Sequence, residues 1–223
     1  NHDNQPASSS NYLAKVVKRH ETAVIFHLFY TEMWEEFDHY LTNLNGDFDL
    51  FVSIPEDVEF QHSLILSKYP QAYIYRPKNQ GRDIAPFINI FLEIYPLQYK
   101  YVCKVHTKRS THRQDGHIWR QDLMEKLLGS QLQVEVAKHT LDENPDIGIV
   151  APEGHVVPGS FYWGKNEGMV HMLAQRVGIP WNKQNFQFVA GSMFWFKPSA
   201  VYPITLLELS RSDFEAEQGQ VDG

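Results

Sequence analysis

Short β-branched and aromatic runs alternate along this chain with longer segments of helical periodicity, and that alternation restricts the fold more than any other feature. Thr22-Ala-Val-Ile-Phe-His-Leu-Phe29, Phe48-Asp-Leu-Phe-Val-Ser-Ile54, Ala72-Tyr-Ile-Tyr75, Tyr99-Lys-Tyr-Val-Cys-Lys-Val105, Ile147-Gly-Ile-Val-Ala151 and Phe188 to Phe196 read as strands. Between the first two, Glu32 to Asn45 carries Met33, Trp34, Phe37, Tyr40, Leu41 and Leu44 at helical spacing. His62 to Tyr69, Ile84 to Ile94, Trp119 to Leu128, Leu132 to Leu141 and Glu167 to Val177 read as further helices. The punctuation agrees: Asp83 stands where an N-cap belongs, Pro86 falls in the first turn, and Gly129 and Gly178 stop their helices. Strand and helix in turn, repeated at least four times, predict an α/β fold with a mostly parallel central sheet and helices on both faces. Ligands of such sheets sit beyond the carboxyl ends of the strands. Functional residues are therefore sought at His27, Ser53 to Asp57, Arg76 to Asp83, His106 to Arg109, Pro152 to His155 and Lys197.

The 223 residues, 43% of them hydrophobic, can bury one sizeable core. A formal charge of −7 argues against a nucleic-acid partner, so any anion site must be a local basic patch. The single cysteine, Cys103, rules out a disulfide within the chain and fits a reducing compartment. No apolar run approaches the roughly 20 residues that span a bilayer. Residues 1–20 are expected to form a flexible polar tail, and 21–223 one domain cut from a longer chain.

The most pointed constellation is Lys104-Val105-His106-Thr107-Lys108-Arg109 at the end of the fourth strand. Alternate residues of a strand share a face, so Lys104, His106 and Lys108 should point together. Convergent cations at a strand end suit a diphosphate, and His112, Arg113, His117 and Arg120 follow. Lys104 also interrupts a run that should be buried. Asn79-Gln-Gly-Arg-Asp83 is a second candidate: Gly81 permits a tight turn, and Arg82 can reach a phosphate or hold a carboxylate. His27 ends the first strand. Tyr162 and Trp163 offer a stacking surface for a sugar, and Gly191 would let a ligand or another backbone come close. Plain packing, a capped loop and a solvated basic loop remain open for each of these.

Two patterns mislead. Asp47-Phe48-Asp49 has the Asp-x-Asp form of a metal motif, but it precedes its strand and belongs at the wrong edge of the sheet. His106, His112 and His117 match no helix face, and neighbouring Lys and Arg would repel a cation.

Taken together, Ile25-Phe-His-Leu-Phe-Tyr30, Phe48-Asp-Leu-Phe-Val-Ser-Ile-Pro55, Asn79-Gln-Gly-Arg-Asp83, Lys104-Val-His-Thr-Lys-Arg109, Trp119-Arg120, Leu127-Leu-Gly129 and Val189-Ala-Gly-Ser-Met193 resemble the rhamnan synthesis protein F family, in its order, from about Glu21 onward. The resemblance implies a GT-A-like three-layer sandwich and a glycosyltransferase domain of bacterial polysaccharide assembly. Its donor would be a nucleoside-diphosphate sugar, rhamnose among the candidates, and its acceptor a polysaccharide or lipid-linked glycan. It also implies a domain of a larger synthase, cytoplasmic or peripheral at the inner face of the membrane.

In related GT-A enzymes the Asn-x-Gly turn opens a helix and the next strand closes on Asp-x-Asp. Here that strand closes on Lys104, His106, Lys108 and Arg109, so a divalent metal is not expected and cations would stabilise the leaving diphosphate. His27, Asn79, Gly81, Trp163 and Gly191 would then meet nucleoside or sugar. The general base would be Asp222 by position, with Asp83 and Glu153 in reserve. Two other readings stay open: a non-catalytic glycan-binding or scaffold module, and a phosphate-ester enzyme using His106.

Overall fold

The computed structural model describes residues 16–107, 116–162 and 166–216. Six strands form the central sheet: β1 (Thr22–His27), β2 (Asp49–Ser53), β3 (Tyr73–Tyr75), β4 (Tyr101–His106), β5 (Ile149–Val150) and β8 (Phe194–Phe196). Their spatial order is β3-β2-β1-β4-β8-β5. The first four run parallel, whereas β8 is antiparallel to both β4 and β5. The chain moves outward from β1 to β3 and then returns to the other side of β1 as β4. The carboxyl ends of β1 and β4 therefore flank the topological switch point, with His27 opposite His106 in the register.

Both faces of the sheet are covered, which is why β1, β2 and β4 read as unbroken apolar runs. Alternation divides their side chains between two cores. Val24, Phe26, Val52, Cys103, Val105 and Trp195 pack with α1 (Trp34–Leu41), α4 (Gly116–Leu128) and α5 (Gln131–Glu143). Ala23, Ile25, Phe51, Val102 and Phe196 pack with α3 (Ile84–Ile94), which supplies Phe87, Ile88, Ile90, Phe91 and Ile94. Each of these fully buried large side chains contributes roughly 1.5–3 kcal/mol. A shorter helix, α2 (Ser63–Leu66), buries Ile65. Among the described residues no helix is long and apolar enough to cross a membrane.

The run Phe188 to Phe196 is not one strand. It breaks at Ala190 to Ser192, where Gly191 and Ser192 take φ of 88° and 54°. Before the break, β7 (Gln187–Val189) pairs with β6 (Val156–Pro158) in a separate two-stranded sheet. After it, β8 enters the main sheet. Between β6 and β7 lie α6 (Gly159–Tyr162) and α7 (Glu167–Arg176), and α8 (Pro198–Val201) follows β8. Because β8 is antiparallel, Lys197 leaves the sheet at the edge opposite the switch point. Its amine reaches the Asn144 carbonyl at 3.2 Å, which removes it from the candidate site.

Candidate functional site

His27, Lys104 and His106 project from neighbouring strands onto the face covered by α3. Each is nearly buried, at 7%, 2% and 5% exposure. Lys104 aims its ammonium at Asp83 Oδ2 (2.6 Å), the Ser192 carbonyl (2.6 Å) and Ser192 Oγ (3.3 Å). Its Nζ also lies 5.4 Å from the centre of the Phe87 ring. His106 Nδ1 lies 3.4 Å from the same Asp83 oxygen. His27 Nδ1 meets Ser53 Oγ at 2.8 Å, across the β1–β2 pairing. The His27 carbonyl accepts from the Thr107 amide, and Thr107 Oγ1 accepts from the amides of Phe29 and Tyr30. These bonds hold the strand ends in a fixed arrangement.

The electrostatics follow from burial. Burial alone would raise Asp83, but His106 and Lys104 hold its carboxyl well below the usual carboxylate range. Burial pushes Lys104 down from its ordinary value, and Asp83 opposes that shift. Burial lowers His27 to about 4 despite Asp83, so it is neutral at pH 7. The cluster is a preorganised charge array in a low-dielectric setting, where electrostatic effects on a developing charge are largest.

The sequence places Asp83 correctly, at the N-cap position of α3, but its side chain makes no cap hydrogen bond. It turns to Lys104 instead, because a buried ammonium without a counterion would cost several kcal/mol. The alternative of a merely structural Arg82–Asp83 pair in this loop gives way to the Lys104 contact. Arg82 is exposed, with φ of 50°. Asn79 donates to Asp57 at 3.2 Å, joining the loops that follow β2 and β3. Gly81, at φ 74°, lies so close to α3 that a Cβ there would sit 2.5 Å from Ala85 Cβ and 2.9 Å from Phe214 Cγ. Gln80 forms a bridge with Ala216 and donates to the Phe214 carbonyl, so the segment around 214–216 is stitched to this loop.

Gly191 serves packing: a Cβ there would stand 3.0 Å from Leu123 and 3.2 Å from Trp119. Glu153 is exposed in a turn, and its carbonyl accepts from Lys126. Arg120 forks onto Glu36 at 3.1 and 3.0 Å and so ties α4 to α1 instead of facing a ligand. Asp49 is at the opposite edge of the sheet, where Tyr99, His20 and Arg19 donate to it. The Asp-x-Asp pattern is structural there. Lys108, Arg109, His112, Arg113, Trp163 and Asp222 lie outside the described residues.

Two cavities lie on this part of the molecule, and only the second includes a residue of the cluster. One of about 680 Å³ lies beyond β1, β2 and β3, lined by Thr31, Glu56, Phe60 and Arg76 among others. Arg76 donates to the carbonyls of Pro55, Glu56 and Val58 and so shapes its wall. The other, about 840 Å³ and mostly apolar, has Lys104 and Ser192 on its lining with Phe87, Phe194, Leu173 and Trp181. The sequence points to Gly191 but gives no sign that the neighbouring Ser192 carbonyl holds Lys104. A non-glycine residue at positive φ is not foreseeable from composition.

The model of the rhamnan synthesis protein F family matches residues 7–223. Two curated relatives, each described as uncharacterized protein WxcX, come from two strains of Xanthomonas campestris pv. campestris. Each is 38% identical over 153 residues. The aligned part spans 69% of this chain but only 22% of either relative.

Proposed function

This chain belongs to the rhamnan synthesis protein F family, and from that membership and the geometry of its site we propose that it acts in polysaccharide synthesis as a glycosyltransferase domain of GT-A type. The observation that carries this reading is the buried Lys104–Asp83–His106 array beside His27 at the switch point of a doubly wound sheet. A nucleoside-diphosphate sugar would lie across that edge. The 680 Å³ cavity beyond β2 and β3 would take the nucleoside, and the 840 Å³ cavity has room for sugar or acceptor.

Lys104 already has three acceptors, so it provides positive potential and fixes Asp83. Arg82, with Lys108 and Arg109 beyond it in sequence, would meet the diphosphate directly. Positive charge at the end of β4, where a metal-dependent relative carries carboxylates, supports transfer without a divalent ion. By sequence position alone the base would be Asp222, six residues beyond the Gln80–Ala216 bridge. The donor sugar is proposed to be rhamnose.

Thermal-shift measurements with UDP, GDP and dTDP, each in EDTA and in manganese, test the reading. A nucleotide at about 100 times its dissociation constant stabilises by roughly 2.7 kcal/mol, which raises the melting temperature by about 5 °C or more. We expect at least one to do so in EDTA, and Arg82→Ala to shrink the shift without moving the ligand-free melting point. A shift seen only with manganese would refute metal independence. No shift with any nucleotide would refute the donor site.

A further inference from the structure

Asp83 is a poor proton acceptor, because Lys104 and His106 hold it ionised. The described part of the chain has a better placed one. His155 Nε2 meets Asp122 Oδ2 at 2.7 Å. An ionised carboxylate only accepts, so Nε2 is the donor in this contact and Nδ1 is left as the one ring nitrogen that can accept a proton. Nδ1 makes no hydrogen bond to any described residue. The ring is almost buried and lies 5.9 Å from the Trp119 ring, tilted by 52°. Trp119 and Asp122 share one face of α4, three residues apart. Hydrogen bonds from His155 and then Lys126 hold Asp122 below its ordinary value, so it stays ionised and keeps the imidazole in this tautomer.

The position of the pair relative to the proposed donor site is set by three consecutive residues. Ala190 donates its amide to the His155 carbonyl at 2.8 Å. Gly191 packs against Trp119. Ser192 presents its carbonyl to Lys104 at 2.6 Å. From Ala190 to Ser192 the chain advances at most roughly 7 Å. The dyad and the buried cation are thus neighbours across one turn, on the functional edge of the sheet.

We infer that His155 is the general base for the acceptor hydroxyl and that Asp122 is its positioning residue. This inference rests on the transferase reading above. In the reaction, the acceptor oxygen forms the bond to the anomeric carbon while the bond from that carbon to the diphosphate breaks. The acceptor proton moves to Nδ1, and the nucleoside diphosphate leaves with the electron pair. The resulting imidazolium is stabilised by Asp122. The other charged groups near the dyad are Lys126, which donates to Asp122 and to the Glu153 carbonyl, and the exposed Glu153, two residues before His155 in sequence.

The full chain is assayed for nucleoside-diphosphate release from dTDP-rhamnose, GDP-rhamnose and UDP-glucose, with water or oligosaccharide as acceptor, alongside nucleotide thermal shifts. His155→Gln should lower turnover by about 100-fold or more while the nucleotide shift is unchanged. Asp122→Asn should lower kcat and move the acidic limb of its pH profile. His155→Gln with wild-type turnover and pH profile overturns the inference while leaving the transferase reading intact. Wild-type protein that neither binds nor turns over any donor overturns both.

Discussion

Lys104 shows how one residue type in an improbable place foretells a site. A lysine inside a buried strand demands a counterion, and the fold supplies Asp83 at 2.6 Å. Removing the acid alone would leave the ammonium stranded. Asp83→Asn should therefore cost about 3–5 kcal/mol, measured as a lowered urea midpoint. Replacing both members, as Asp83→Leu with Lys104→Met, should recover most of that loss. A single mutant as stable as wild type would mean that the pair carries no net charge in the folded protein.

At the scale of elements, Gly81 is where loop, helix and C-terminal segment meet. Its positive φ and the 2.5 Å approach to Ala85 leave no room for a side chain. Gly81→Ala should destabilise by about 2 kcal/mol or more, and it should loosen the 214–216 segment. Limited proteolysis near Phe214 should then outpace that of the wild type. The same scale shows what was legible in the sequence. The bounds expected for α3, Ile84 to Ile94, match, and β1, β2 and β4 differ only by a few end residues. Alternation sets Lys104 and His106 on one face, as the structure has them, but nothing local in the sequence joins Asp83 or His27 to Lys104. The break inside Phe188 to Phe196 was hidden because an aromatic run reads as one strand, and only Gly191 hinted at a turn. The direction of β8 was hidden too, since pairing sense depends on distant contacts. His155 and Asp122 are 33 residues apart, and no local pattern links them.

For the molecule as a whole, titration of the site should appear in global stability. The folded pKa of His27, about 4, lies below its unfolded value near 6.5. The unfolded chain binds more protons between those values, so stability rises with pH across that window and is lost as pH falls through it. The full loss is about 3 kcal/mol. Below pH 4 the depressed Asp83 adds a further loss, because protonation abolishes its hold on Lys104. Urea unfolding from pH 7 to 4 should show this slope, and His27→Gln should flatten it. An unchanged slope in that variant would place the titration elsewhere. The single reversed strand has a different kind of consequence. In a sheet whose strands all ran one way, only segments that follow a strand could border the ligand edge. Because β8 runs backward, the segment that precedes it does so as well. Changes in length between β7 and β8 would reshape the edge that bears Lys104 and His106, whereas insertions after Phe196 would fall at the far pole.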